Sequence, residues 1–206
     1  MVSLKKQVAI LLRDLKLKTR PIVKLEQYEL SSEEASKFMY NVFIHINNGE
    51  FLDAGCGSGM LTLAGILMGI NNIIAVDIDK EVLLNLKYNL NKINKEYIVD
   101  IIQADFLKFN LRRKIDCVFM NPPFGTKNRH MDRKFLEKAF EISNKVFSLH
   151  KSGNFKFFLN LAKKYGFKLK LVDTFEIMLK QTMKFHRKRK YYVSVDQYYF
   201  INERKR

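Results

Sequence analysis

The segment Asn121-Pro122-Pro123-Phe124 has the clearest chemical potential in this sequence, and it follows an apolar run at 115–120. That run predicts a buried strand, so the segment would lie at a carboxyl end, where open α/β sheets place their chemistry. The prolines favour an extended backbone at Asn121, which aims its amide and the Pro122 carbonyl at one place. These two acceptors could hold both hydrogens of an exocyclic amine while Phe124 stacks on its ring. The alternative is an ordinary turn, because Asn-Pro pairs are common turn formers.

A glycine-rich segment follows a second apolar run, at residues 51–59, where glycine occupies positions 55, 57 and 59. Glycine leaves the backbone bare, so a ligand could lie directly against it, and the helix predicted over 59–69 would present its first amides. The dinucleotide-binding pattern G-x-G-x-x-G would need glycine at position 60. The chain has Met60 there, which disfavours NAD as the ligand.

Two acids close later strand-like runs. Asp77 ends the run at 72–77, where its carboxylate could accept hydrogen bonds from both hydroxyls of a ribose. Asp105 closes the run that begins at 98, and it could accept a hydrogen bond from an adenine amino group. Either acid alone is more simply explained as a helix cap or a turn residue. The order of glycine loop, acid, acid and N-P-P-F predicts an adenosine-shaped cofactor beside a second amine-bearing ring.

These motifs in this order resemble the class I methyltransferases that use S-adenosylmethionine, and among them the N-P-P-[FY] enzymes that methylate planar nitrogen. Longer elements are similar to the small-subunit ribosomal RNA adenine-N6 methyltransferases of archaea and eukaryotes: L-E-Q-Y at 25–28, N-P-P-F-G-T-K at 121–127, S-L-H-K at 148–151 and K-F-H at 184–186. The resemblance implies methylation of an RNA adenosine. It also implies a small zinc-binding activator subunit as a partner.

The resemblance further implies the residues of the site. The catalytic residues would be Asn121, Pro122, Pro123 and Phe124, with the first two holding the target amine. The cofactor-binding residues would be Gln27, Gly55, Gly57, Ser58, Met60, Asp77, Asp105, Phe106 and Asn121. In this assignment Gln27 closes over the methionine part of the cofactor, Asp77 holds the ribose, and Asp105 with Phe106 holds the adenine.

The charge of the chain indicates a polyanionic partner. With 37 basic and 21 acidic residues, the formal net charge is +16, which favours nucleic acid over an acidic protein pocket. The predicted RNA-binding residues are Lys127 and a basic cluster beside two tyrosines, namely Lys184, His186, Arg187, Lys188, Arg189 and Lys190. Phosphates could be held there while aromatic side chains meet bases. A simpler role for these cations is to deter aggregation through a sheet edge.

Cysteine, histidine and hydropathy patterns argue against several other classes of protein. Cys56 and Cys117 stand alone in apolar surroundings, which predicts small core residues in a reducing compartment. The four histidines lack ligand spacing, so we predict no metal in this chain. The sequence shows neither a secretory signal nor an apolar run long enough for a bilayer, and it therefore predicts a cytoplasmic protein with no membrane association.

The alternation of strand-like and helix-like segments predicts an α/β protein with a Rossmann-like class I methyltransferase fold: a mostly parallel seven-stranded sheet, helices on both faces and an antiparallel edge strand. We expect one domain over 1–206, in which 1–48 forms N-terminal helices capping the cofactor site and 49–206 forms the catalytic α/β core. A helical stripe is expected at Leu4, Val8, Leu11, Leu12 and Leu15, and a capping box at 31–34 opens a helix through about His45. Further helices are expected at 80–91, 132–147 and 153–165, and strands at 167–175 and 191–201.

The expected reaction is a direct displacement in which the adenine nitrogen attacks the methyl carbon of a sulfonium. Positioning and preorganised acceptors would supply most of the acceleration, and no general base is needed at the start. Three alternatives stay open. A protein glutamine amide also presents two hydrogens to an N-P-P motif. A DNA adenine is less favoured in so short a chain, and a catalytically silent RNA-binding module would keep the fold without turnover.

Overall fold

The computed structural model of the chain describes residues 3–15, 30–46, 48–123, 130–180 and 190–203. Its strands are β1 (Phe51–Ala54), β2 (Ile73–Asp77), β3 (Val99–Gln103), β4 (Cys117–Met120), β5 (Lys145–Lys151), β6 (Lys168–Lys180) and β7 (Lys190–Ile201). Its α-helices are α1 (Leu4–Arg13), α2 (Ser32–His45), α3 (Met60–Leu67), α4 (Lys80–Lys92), α5 (Met131–Ile142) and α6 (Phe155–Lys164). Short 3-10 turns at Glu96–Ile98 and Phe106–Lys108 flank β3.

Within the described residues, these strands form one seven-stranded sheet in the order β3-β2-β1-β4-β5-β7-β6. Neighbouring strands from β3 to β5 are parallel, whereas β7 is antiparallel to both β5 and β6. The predicted mostly parallel sheet with an antiparallel edge is therefore confirmed. The reversed strand β7 lies one place in from the edge strand β6.

Helices cover both faces of this sheet. Successive residues of β1 show the two layers, because Phe51 packs in a cluster with α1, α2, α3 and α4, whereas Leu52 packs in a cluster with α5 and α6. Every residue of β1 and β4 is buried as a result. Burial on both faces explains why these strands are apolar runs without polar alternation.

The N-terminal helices begin largely as their sequence signals predict. The Glu34 amide donates to the Ser31 hydroxyl over 3.2 Å, and the Ser31 amide donates to the Glu34 carboxylate over 2.6 Å. This is the predicted capping box, and α2 runs from there to His45. In α1, the predicted stripe is only partly buried: Val8, Leu12 and Leu15 enter the core, whereas Leu4 and Leu11 are exposed.

One predicted element is wrong. The helix expected over 132–147 ends at Ile142, and β5 begins at Lys145. Ser143 has an extended backbone, and its hydroxyl accepts from the Lys145 amide and donates to the Lys145 carbonyl. Such a local side-chain contact competes with helical hydrogen bonds, so the helix stops here. The apolar residues that follow then enter the sheet between β4 and β7.

Candidate active site

The candidate site lies at the carboxyl ends of β2, β1 and β4, which are neighbours in the sheet. From β1 the chain crosses to β2 on one side, and it later returns to β4 on the other side of β1. In open α/β sheets such a reversal of strand order leaves a crevice outside the carboxyl ends of the strands. The glycine loop at 55–59 follows β1, and Asn121-Pro122-Pro123 follows β4, so the two predicted motifs meet at this crevice.

The glycine loop has a left-handed backbone at positions where it must make room. At Gly57 the φ angle is +54°, and an added Cβ would meet no atom of the described residues within 4 Å. At Gly59 the φ angle is +86°, and an added Cβ would lie 2.3 Å from the Leu86 side chain. Gly59 therefore makes room for the Leu86 side chain of α4, whereas the space beside Gly57 is open among the described residues. The loop residues Gly55, Gly57, Ser58 and Met60 are all partly exposed.

Asp77 ties the end of β2 to this loop. One carboxylate oxygen accepts from the Gly57 amide over 2.8 Å, and the other accepts from the Asp79 amide over 2.9 Å. The side chain is buried, and burial raises the pKa of Asp77 above its ordinary value against the opposing effect of these hydrogen bonds. Each oxygen has a second lone pair, so the carboxylate can still accept from a ligand hydroxyl.

Asp53 is a second buried acid at this crevice, and no role was assigned to it from the sequence alone. Its carboxylate accepts from the Thr62 hydroxyl over 2.6 Å and from the Thr62 amide over 3.1 Å, which fixes the start of α3 to β1. Burial raises the pKa of Asp53 to about 7, although the Thr62 hydrogen bonds oppose the shift; the charge of Asp77 raises it further. The sequence feature that could have identified Asp53 is its position: it is an acid inside an apolar strand, directly before a glycine loop.

The two acids give a test of whether the site fits S-adenosylmethionine, a cationic cofactor. Asp53 and Asp77 are 1% and 3% exposed. Across the described part of the chain, neither carboxylate pairs with a basic side chain. An ionised carboxylate is costly to bury. A buried acid avoids this cost either by keeping its proton, as the raised pKa values of both acids favour, or by having a positive charge beside its ionised form. A cation placed over the open Gly57 backbone would supply that charge, so these residues fit the cofactor.

Asp105 and Phe106 follow β3, at the next carboxyl end along the sheet. One Asp105 oxygen accepts from the Leu107 amide over 3.0 Å, so the acid caps the short turn Phe106–Lys108. About a third of the Asp105 side chain is exposed, and its other oxygen lies 3.9 Å from the Lys108 ammonium. Phe106 is buried and packs against Phe135. The capping role that the sequence offered as the simpler alternative is present. Among the described residues, no backbone amide donates to the other carboxylate oxygen.

Asn121 lies directly after β4, as the sequence predicted. Asn121 and Pro123 are partly exposed, whereas Pro122 is buried. The other predicted residues of the site and of the basic cluster lie outside the described residues: Gln27, Phe124, Lys127, Lys184, His186, Arg187, Lys188 and Arg189. Lys190 begins β7, but its side chain is likewise outside the description. Their roles stay predictions.

The S-L-H-K element contributes a buried histidine that the sequence did not explain. His150 is fully buried at the end of β5, and its ring centroid lies 3.9 Å from that of Phe158. Its Nδ1 lies 3.7 Å from a carboxylate oxygen of Asp132, in the first turn of α5. Burial lowers the pKa of His150 below its ordinary value, while Asp132 opposes the shift. A neutral imidazole therefore packs between α6 and the sheet, close to the first turn of α5.

Other expectations concern residues without a catalytic role. Both cysteines are buried, as predicted, and burial raises the pKa of each thiol above its ordinary value. No helix among the described residues has the length and apolar character needed to cross a bilayer. The same residues contain no cluster of three or more His, Cys, Asp or Glu side chains suited to a metal ion.

The parallel sheet, the glycine loop after β1, the acid that ends β2 and the N-P-P segment after β4 together define a class I methyltransferase. Comparisons with known proteins agree. The family model described as "Methyltransferase small domain" matches residues 30–194. This match covers most of the chain and includes every described residue of the crevice.

Several relatives narrow the class. The rRNA N6-adenosine methyltransferase of Caenorhabditis elegans is 34% identical over 95% of this chain and 96% of its own. The corresponding Danio rerio protein is 31% identical over 85% of this chain and 88% of its own. The crystal structure of a candidate RNA methyltransferase from Pyrococcus horikoshii superposes with a TM-score of 0.87 at 34% identity, covering 98% of this chain and 99% of that one. The chain belongs to the family of rRNA N6-adenosine methyltransferases, within the methyltransferase small-domain group.

Proposed function

We propose that this protein transfers a methyl group from S-adenosylmethionine to N6 of an adenosine in RNA, and that its substrate is small-subunit ribosomal RNA. One observation carries the proposal: the Asn121-Pro122 acceptors follow β4 directly beside β1, whose glycine loop is bare at Gly57. The acceptors for an amine and the seat for a methyl donor are therefore neighbours at one crevice. The names of the C. elegans and D. rerio relatives support the same reaction.

In the proposed mechanism, the protein mainly orients the target amine. The Asn121 amide oxygen and the Pro122 carbonyl accept its two hydrogens, which turns the nitrogen lone pair toward the cofactor. When bound, S-adenosylmethionine supplies an electrophilic methyl group. The proton that the methylated amine loses would pass to water, because neither the Asn121 amide nor the Pro122 carbonyl can take it as a base. Pro123 stiffens the segment and Phe124 stacks on the target base, so positioning supplies most of the acceleration.

The remaining site residues would hold the cofactor. Asp77 would use its second lone pairs for the ribose hydroxyls, and the loop residues Gly55, Gly57, Ser58 and Met60 would lie beneath the methionine part. Asp105 would use its remaining oxygen for the adenine amino group, next to Phe106. Residues 1–48, with Gln27, would cap this site within one domain over 1–206. The packing of α1 and α2 in the same apolar cluster as α3 supports this division.

RNA fits the charge and shape of the molecule better than a protein glutamine does. The net charge is +16. β7 pairs with β5 only as far as Val195 but with β6 as far as Lys190, so the β6–β7 pair extends about 15 Å past the end of β5. That extension is on the active-site edge of the sheet, and it leads into the basic residues 184–190. We assign Lys127 and this basic cluster to the RNA phosphates.

A protein partner is part of the proposal. β3 is an edge strand with only β2 as its neighbour in the described sheet. Large apolar side chains near this edge and on the adjoining β2–β3 connection are exposed, namely Ile78, Leu84, Tyr88 and Tyr97. A small zinc-binding activator subunit that adds a strand would cover them. We also place the protein in the cytoplasm, since two buried free thiols suit a reducing compartment.

The test is Asn121→Ala, with Asn91→Ala as the matched control on the exposed surface of α4. We expect Asn121→Ala to abolish methyl transfer to small-subunit ribosomal RNA while it leaves cofactor affinity nearly unchanged. The control should keep both. Mass spectrometry of the RNA nucleosides would identify N6-methyladenosine as the product.

Three results would contradict the proposal. Near-wild-type incorporation by Asn121→Ala would refute the role of the amide. Transfer of label to a protein glutamine and not to RNA would replace the substrate. Cofactor and RNA binding with no turnover by the wild-type protein would favour a silent RNA-binding module.

A further inference from the structure

Phe135 connects two residues that the sequence assigned to the cofactor. Its Cε1 atom lies 3.2 Å from the position that a Cβ would take at Gly55. Its ring centroid lies 5.1 Å from that of Phe106, with the planes inclined by 42°. The space that Gly55 leaves empty is therefore filled by an aromatic ring from another element. Phe135 is partly exposed, so part of its ring also borders the crevice.

Phe135 belongs to the helix that follows the target-binding segment. The chain leaves β4 through Asn121-Pro122-Pro123 and reaches α5 at Met131, so Phe135 stands in the second turn of that helix. The first turn approaches the sheet at another point, where Asp132 lies 3.7 Å from the buried His150. One helix therefore contacts the cofactor loop through Phe135 while it receives the chain that carries the amine acceptors.

We propose that Phe135 is a positioning residue that couples cofactor binding to RNA binding, by linking the Gly55 loop and Phe106 to the helix that follows the amine acceptors. This inference rests on the proposed function. A cofactor seated on the Gly55 loop and against Phe106 restrains the Phe135 ring, and the ring restrains α5. The acceptors before α5 are then held in place when RNA arrives. Such coupling is reciprocal, so RNA must tighten cofactor binding by the same factor.

The experiment measures binding without turnover. S-adenosylhomocysteine, the demethylated form of the cofactor, serves as the ligand because it cannot donate a methyl group. Calorimetry measures its affinity with and without in vitro transcribed small-subunit ribosomal RNA. Filter binding measures the RNA affinity with and without S-adenosylhomocysteine. An aromatic contact of this kind predicts a coupling factor of about threefold to tenfold in the wild-type protein. Phe135→Leu keeps an apolar side chain but loses the ring contacts, so its coupling factor should fall to about 1.

Phe140→Leu is the matched control on the same helix. Phe140 is buried against Phe167, with ring centroids 4.1 Å apart, and it contacts neither Gly55 nor Phe106 in the described structure. This variant should lower the melting temperature yet keep the wild-type coupling factor. A difference between the two variants therefore separates coupling from a general loss of packing.

Each contrary outcome has a separate meaning. Wild-type coupling in Phe135→Leu, or equal loss in both variants, would overturn the role of Phe135 alone. A wild-type protein in which the two ligands bind independently would overturn the coupling itself. A wild-type protein that binds no S-adenosylhomocysteine would refute the proposed function as well.

Discussion

Gly57→Ala tests the claim that the open space over the glycine loop is a cofactor seat. The φ angle of Gly57 is +54°, a left-handed conformation that costs an alanine about 1–2 kcal/mol. Alanine also restricts the unfolded chain more than glycine does, which offsets about 0.4–1 kcal/mol of that cost. Because no atom of the described part of the chain lies within 4 Å of the added Cβ, no clash with that part adds to this balance. The free energy of unfolding should therefore fall by only about 1 kcal/mol.

The binding free energy of S-adenosylmethionine should fall by at least as much. The added methyl group would occupy the space of the ligand, and forcing one extra carbon into a packed contact costs about 1–3 kcal/mol. That range corresponds to a dissociation constant raised about 5-fold to 150-fold. The Gly57 amide can still donate to Asp77, so the loop itself should persist.

Calorimetry with the cofactor and guanidinium denaturation would measure the two effects. Gly69→Ala is the control, since Gly69 also has a positive φ angle, +98°, and open space around the added Cβ, but it lies at the other end of α3. It should cost at least as much stability and leave cofactor affinity unchanged. Wild-type affinity in Gly57→Ala, or an equal loss of affinity in Gly69→Ala, would refute the assignment of this space.

Three further variants test the packing around the site. Burial raises the pKa of Asp53 from 3.8 to about 7, so the folded protein holds a proton that the unfolded chain releases and wild-type stability falls as pH rises through that interval. Asp53→Asn should make the free energy of unfolding, measured by guanidinium denaturation, depend less on pH over this interval. An unchanged pH profile would contradict the raised pKa. Burial lowers the pKa of His150 below 6.5. The contribution that the neutral His150 makes to stability is therefore fully present above pH 6.5 and is lost as the pH falls through the lowered pKa. His150→Phe should resist acid better than the wild type in thermal unfolding, and equal acid sensitivity would count against a neutral buried imidazole. Ser31→Ala removes the capping box of α2 and should lower the free energy of unfolding by about 1 kcal/mol; a denaturation midpoint equal to that of the wild type would mean that the cap is not stabilising.

Local signals were enough to predict most of the fold. The Ser31 capping box marks the start of α2 because cap and helix lie within four residues of each other. The strand at 73–77 is an apolar run that ends in an acid, because both of its faces are covered. The strand β5 was missed because its apolar residues also fit a helical period. Its place between β4 and β7 depends on partners far away in sequence.

The site residues also fall into two groups, those that a local motif predicts and those that only the folded structure reveals. Asn121, Gly57 and Asp77 could be predicted because each belongs to a local motif at the end of a strand. Asp53, Phe135 and His150 could not be assigned, since their importance comes from what surrounds them in the folded chain. Phe135 in particular looks like one more apolar position of α5 until the structure places it over Gly55.

The position of β7 has a consequence for how the chain reaches this structure. β7 follows every other described strand in the sequence, yet it lies between β5 and β6. Until β7 forms, β6 has no hydrogen-bonding neighbour and β5 exposes an open edge. On the ribosome, the sheet therefore stays incomplete until residues 190–201 have emerged. Growing chains that stall before that point would present one unpaired strand and one open sheet edge, which is the kind of surface that chaperones and aggregates recognise.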